Sequence, residues 1–145
     1  MEPSKARNVL LFQHDELRQA LGEALRTCDL VTSGGNASAS TLRAAVEKVS
    51  DLFALHNATE EALLAPMLRE DYAWGQRRID RMLEEHRGEH AEICAALSMD
   101  GDLAQAAARV RDAIEMIDAH MAAEERTFLA RSVLRDTLVQ VDDAG

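Results

Sequence analysis

Five histidines are spread along this 145-residue chain, and their spacing is more informative than their number. His56-x-x-x-Glu60, His86-x-x-x-His90 and His120-x-x-x-Glu124 are three pairs spaced four apart, and His14 stands alone before them. In an α-helix, residues four apart lie on one face, about a turn from each other. Each pair can therefore aim two donor groups at a common point. The set His14, His56, Glu60, His86, His90, His120 and Glu124 offers seven donors. Two six-coordinate metal ions sharing carboxylates need about that many, with room left for a bridging oxygen and a small exogenous ligand.

The elements that must position these donors read as four helices. The first is expected from about Ser4 to Cys28, with Leu10, Leu17, Leu21 and Leu25 on one stripe, ending at the loop-like VTSGGNASAS. The second starts near Ser40 or Thr41, with Ser40 as a cap, and runs to about Leu68, with Pro66 loosening its last turns. After a short break at Asp71–Gly75, the third spans about Gln76 to Ser98. Asp102 can cap a fourth from about Leu103 to Leu134. Short second and third connections imply antiparallel neighbours, so the expectation is an all-α, up-down-up-down four-helix bundle over 1–135. Residues 136–145 read as a flexible acidic tail.

The donors sit where such helices would otherwise carry Leu. His14 is flanked by Leu10, Leu17 and Leu21; His56 and Glu60 by Leu52, Phe53, Leu63 and Leu64. His86 and His90 lie among Ile79, Met82, Leu83, Ile93 and Cys94, and His120 and Glu124 beside Met116, Ile117 and Phe128. Burying them unpartnered would cost several kcal/mol per charge, and a bound cation pair removes that cost. A lone core histidine is usually just hydrogen-bonded, and one His-x-x-x-Glu is often a surface pair. Here, however, no histidine falls outside the pattern. Glu61, Glu85 and Glu125 are rotated about 100° from their neighbouring donors and read as solvated, and Asp15 as a partner of Arg18. The methionines read as packing, and Tyr72 and Trp74 as covering one end of the bundle.

Composition narrows the function classes. The chain is 47% hydrophobic, enough for a core, yet only 3% aromatic, which favours helices. A net charge of −10 disfavours nucleic acid and anionic membrane surfaces as partners. No apolar run approaches the roughly 18 residues of a membrane span, and no signal-peptide pattern opens the chain. Cys28 and Cys94, too few for a disulfide framework and without CxxC spacing, are expected as buried, reduced thiols in a cytoplasmic protein.

Imidazole with carboxylate suits iron, zinc, copper or nickel, and seven donors exceed the four of a structural zinc site. The ordered series of these pairs, with the texts HNATEEALLAPML and HMAAEERTFLARSVL, resembles the hemerythrin-like, or HHE cation-binding, family over roughly Leu10 to Leu134. The resemblance implies two non-haem iron ions with a bridging oxo or hydroxo group. His86, His90 and His120 would bind one, His14 and His56 the other, and Glu60 and Glu124 would bridge them. It further implies that O2 meets the His14/His56 iron. Respiratory hemerythrins end in His-x-x-x-x-Asp, whereas this chain has His120-x-x-x-Glu124.

A level count agrees for the first two turns but not the third. About 9 residues follow His90 while 17 or 18 precede His120, a mismatch of roughly 13 Å that a stretched link near Met99–Asp102 would have to span. Three functions fit: binding of O2, NO or peroxide for storage, delivery or sensing; enzymatic peroxide decomposition or NO reduction; and an iron-responsive interaction module.

Overall fold

Pro3 opens α1 (Pro3–Thr32) at a position where its missing N–H is not needed. This helix runs past Cys28 to Thr32, where Gly34 turns at φ +73° and the Gly35 N–H returns to the Leu30 carbonyl at 2.7 Å. A second helix, α2 (Ala39–Asp71), is capped by Ser38 rather than Ser40, since the Thr41 N–H donates to the Ser38 hydroxyl at 3.2 Å. Pro66 lies inside this helix without ending it. Next come α3 (Gly75–Leu97) and α4 (Leu103–Arg126). Asp102 caps α4 as its sequence suggests: it accepts from the Gln105 N–H at 2.8 Å, and the Gln105 side chain accepts from the Asp102 N–H at 2.9 Å. These elements come from a computed structural model that describes residues 1–71, 75–131, 133, 134 and 136. Tyr72, Trp74 and the tail from 137 onward lie outside the described residues.

Helix α4 stops at Arg126, well short of the expected Leu134. Thr127 leaves helical geometry at φ −117°, ψ −88°, and the Leu129 N–H reaches back to the Glu124 carbonyl at 2.9 Å. The physical reason is burial. The turned chain packs Leu129 and Leu134 against Leu10, Leu64, Leu68 and Ile79, and Arg7 donates to the Leu129 carbonyl at 2.6 Å. Each leucine so covered contributes roughly 1.5–3 kcal/mol. Asp136 is tied back as well, accepting from the Ser4 N–H at 2.9 Å.

Helices α1 and α3 each pack on α2 and α4, while α2 and α4 scarcely meet across the diagonal. The described residues thus form an all-helical up-down-up-down four-helix bundle. None of its helices is long and apolar enough to cross a membrane. Two apolar plugs fill the interior. The larger joins Leu17, Leu21, Ala24, Cys28, Val46, Phe53 and Ile93 to Val110, Ile117 and Met121; the smaller is the Leu10–Leu134 cluster at the other end. Leu25, expected inside, is 38% exposed, and Ala24 and Cys28 take the inward positions. The four buried histidines lie between the two plugs.

Two glycines in α3 make opposite demands. A Cβ on Gly75 would sit 1.8 Å from the Leu68 carbonyl oxygen, where α3 begins against the end of α2; one on Gly88 meets nothing within 4 Å. Gly75→Ala should therefore destabilise the bundle by roughly 1–3 kcal/mol, because backbone must move. Gly88→Ala should stabilise it by about 0.5–1 kcal/mol through helix propensity. Urea denaturation of both variants at matched metal content checks the two signs.

Candidate metal centre

Each helix delivers its donors through the same register that builds its apolar stripe. His14, His56 and Glu60 are fully buried, and His86, His120 and Glu124 are buried with at most 8% exposure. Their donor atoms form two triads, His14/His56/Glu124 and Glu60/His86/His120, each within 4.8 Å. The Nε2 atoms of His14 and His56 are 3.2 Å apart. Glu124 Oε1 lies 2.7 Å from His120 Nε2, 3.4 Å from His56 Nε2 and 3.6 Å from His14 Nε2. Glu60 places Oε2 at 3.0 Å from His56 Nε2 and Oε1 at 3.6 Å from His86 Nε2. Each carboxylate thus faces donors of both triads.

His14 Nε2 bonds His56 Nε2, which also reaches Glu124 Oε1, but the other inward atoms stay unpaired. Both Glu60 oxygens, Glu124 Oε2, and the Nε2 atoms of His86 and His120 are buried with no aligned hydrogen-bond partner. Orphaned buried groups of this kind are costly, and a convergent set of lone pairs is what a cation requires. The residues therefore fit a pair of metal ions.

The opposite nitrogen of every buried histidine is held from outside. The Nδ1–H of His56 faces Gln13 Oε1 at 3.0 Å, that of His86 faces Glu61 Oε1 at 2.8 Å, that of His120 faces Glu89 Oε1 at 2.8 Å, and that of His14 faces Glu125 Oε2 at 3.3 Å. Gln13 lies on α1 and holds a ring on α2; Glu61 on α2 holds one on α3; Glu89 on α3 holds one on α4; Glu125 on α4 holds one on α1. The four bonds close a circuit around the bundle, each leaving Nε2 free to face inward. Such partners fix tautomer and ring orientation and raise ligand basicity. Gln13 is set in turn by donating its amide to Thr59 Oγ1 at 3.1 Å. Arg18 donates to both oxygens of Glu125, one at 2.8 Å, in place of the expected Asp15 pairing.

The sequence reading of Glu61 and Glu125 as merely solvated is therefore revised, and Glu89 was not among its candidates. The available signal was the carboxylate or amide next in sequence to a donor: Gln13 before His14, Glu61 after Glu60, Glu125 after Glu124. His90 is the donor that the structure does not bring in. It is exposed, with Nε2 3.6 Å from the Sγ of Cys94, which is also exposed rather than buried as expected. The cause is helix register. The buried stripe of α3 (Ile79, Met82, His86, Glu89, Ile93, Ala96) is centred so that Glu89 falls about 30° from its midline and His90 about 70°. This assignment also eases the third-turn level mismatch. Counted from His86, eleven residues lead to Leu97 against seventeen from Leu103 to His120, an excess of about 9 Å, which the link after Leu97 can span.

Charge in the site is shared unevenly. Burial alone would lower the His56 and His120 pKa values, but the facing carboxylates outweigh it. Glu124 and Glu60 bring His56 up to about 9, and Glu124 and Glu89 bring His120 up to about 10. His86 is likewise raised, with Glu60 and Glu61 overcoming burial. Glu60 is pushed up by burial and by the Glu124 carboxylate. Glu124, despite its burial, is held well below the usual carboxylate range by the Glu60, His120, His14 and His56 groups that face it. Without metal, then, Glu124 is the anion around which protons gather.

A bundle with two His/Glu triads between apolar plugs is a metal-binding helical scaffold. Its family follows directly: the hemerythrin HHE cation-binding domain matches residues 6–132, and the chain belongs to that family. No curated protein and no solved structure matches the chain significantly.

Two predictions test the geometry. His90→Ala should retain about two metal ions per chain, whereas His120→Ala should lose at least one; elemental analysis of the purified variants distinguishes the two registers. Because His56 and His120 carry protons up to about pH 9 and 10, loading metal at pH 7 must displace them. Titration in weakly buffered solution should release about two protons or more per chain, and apparent affinity should rise with pH up to that range. Metal uptake without acidification would contradict the protonation described.

Proposed function

We propose that this chain holds a dinuclear non-haem iron centre, bridged by an oxo or hydroxo group, that binds a small ligand such as O2, NO or peroxide for storage, delivery or sensing. The observation that carries this reading is the pair of carboxylates, Glu60 and Glu124, each within 3.6 Å of imidazole nitrogens from both triads. Two carboxylates between two sets of donors suit two ions a short distance apart; a single tetrahedral site would leave donors orphaned.

Four imidazoles, two carboxylates and no thiolate make a donor set that iron accepts. His14, His56 and Glu124 would hold one ion, and Glu60, His86 and His120 the other, with the carboxylates shared. When bound, such a centre supplies redox-active iron able to coordinate a small ligand. The chain's own part is positioning: the outer circuit aims the rings, and the apolar plugs exclude water from both ends of the polar layer. Membership of a cation-binding family supports the metal itself.

An enzymatic reading is favoured by one feature. Glu85, 39% exposed, reaches within 3.8 Å of His120 Nδ1 and could pass a proton between solvent and the site. Peroxide decomposition or NO reduction would need such a group.

Elemental analysis with an absorption spectrum of the iron-loaded protein is the deciding measurement. About two irons per chain with oxo-bridge charge-transfer bands are expected, and one zinc per chain would overturn the reading. Stopped-flow mixing of the reduced protein with O2 then separates the functions. A reversible adduct band marks a binder; direct oxidation with no such band, together with oxygen release from added peroxide, marks the enzyme.

A further inference from the structure

We propose that the two metal positions are made unequal by the groups behind their imidazoles. Glu61 and Glu89 make the His86/His120 position the tighter, and Gln13, held by Thr59, leaves the His14/His56 position the weaker and the second to fill. The inference rests on the dinuclear reading above and deepens it by naming the residues that set the order of occupancy.

The inner donors offer no such distinction. Each triad holds two imidazoles and one carboxylate, and each carboxylate also faces nitrogen of the other triad. The difference lies one contact further out, at Nδ1. Behind His86 and His120 stand the carboxylate oxygens of Glu61 and Glu89, both at 2.8 Å. Glu85 comes within 3.8 Å of the same His120 nitrogen. Among the described residues, no arginine or lysine pairs with Glu61 or Glu89. Arg81 pairs with Glu85 instead, and Arg87 shares a groove with Glu61 without bonding it. Behind His14 and His56 the acceptors are weaker. His14 faces Glu125 at 3.3 Å, and Arg18 donates to both oxygens of that carboxylate, drawing on its charge. His56 faces an uncharged amide, Gln13 Oε1, at 3.0 Å.

Thr59 decides which end of that amide His56 meets. Its hydroxyl donates its one proton to the Leu55 carbonyl at 2.8 Å, so toward Gln13 it can only accept. Gln13 Nε2 donates to it at 3.1 Å, and this turns Oε1 toward His56. With Oε1 as acceptor, Nδ1 carries the proton and Nε2 is left for a cation. The flipped amide would oppose its own N–H to that proton. Thr59 is therefore a positioning residue for one metal position only. A carboxylate behind an imidazole strengthens it as a donor more than an amide does, and losing such a partner typically costs about 10–100-fold in metal affinity.

The test uses Zn(II) as a diamagnetic probe, titrated at fixed pH into protein carrying 15N in its five histidines. Ring nitrogen shifts show which imidazoles take metal, and a competing chelator gives the affinities. His86 and His120 should respond over the first equivalent and His14 and His56 over the second, with the second step weaker by roughly tenfold or more. Gln13→Glu should strengthen the second step by about tenfold and leave the first unchanged, while Glu89→Gln should weaken the first by about tenfold. In the zinc-loaded protein, Thr59→Val should speed solvent exchange of the His56 Nδ1 proton without altering that of His86. Thr59→Ser, which keeps the hydroxyl, should restore the parent rate; a purely structural role for Thr59 would not single out one ring. Equal steps, or His14 and His56 responding first, would overturn the order. A second step unmoved by Gln13→Glu would overturn the role of Gln13, and parent-like exchange in Thr59→Val that of Thr59. Fewer than about two irons per chain in the separately loaded parent would instead overturn the dinuclear reading, whatever the order of zinc uptake.

Discussion

The structure depends on one constraint: a layer of four imidazoles and two carboxylates is buried across the full width of a small bundle. No pairing among these six groups satisfies them, since several of their inward atoms remain without an aligned partner. The cost of such a layer, several kcal/mol for each uncompensated charge, is comparable to the whole stability of a domain. A bound cation would therefore be as much a structural element as a functional one. The two apolar plugs hold the bundle from both sides of the polar layer.

What keeps the layer organised is that every buried ring is held from behind through Nδ1. If Nδ1 were left to water, each imidazole could flip or change tautomer, and Nε2 would not reliably face inward. The circuit Gln13–His56, Glu61–His86, Glu89–His120, Glu125–His14 prevents this, and it does so between helices instead of within them. Bundle packing and ring orientation become one problem. A helix that rotates on its axis loses both its own donor and the acceptor that its neighbour's ring requires.

Most of the fold was legible from spacing. Four helices, the Asp102 cap and the family resemblance all followed from period and punctuation, and six of the seven expected donors are buried together. Two departures show most clearly why other features were not legible, each for a physical reason. His90 lies four residues after His86, as each carboxylate donor follows its histidine. Spacing alone does not say where the midline of a stripe falls, and in α3 it passes between His86 and Glu89. The end of α4 was misplaced because Phe128, Leu129 and Leu134 continue an apolar pattern that a turn can bury as well as a helix can. Cys94 follows His90 outward for the same reason: it is one turn further along the same exposed side.

The rotation of α3 also shapes what the site can do. With His90 facing solvent, the two triads have equal numbers of histidines, two each, and the asymmetry that the family resemblance implies is absent from the donors themselves. Asymmetry lies in the packing of the helices instead. The α3/α4 contact is looser than the α1/α2, α2/α3 or α1/α4 contacts, and a cleft opens along it. Glu89, pointing inward where His90 would otherwise stand, holds His120 at the floor of that cleft and keeps one oxygen without a partner. The same register choice thus removes a histidine from the layer and adds a carboxylate behind His120.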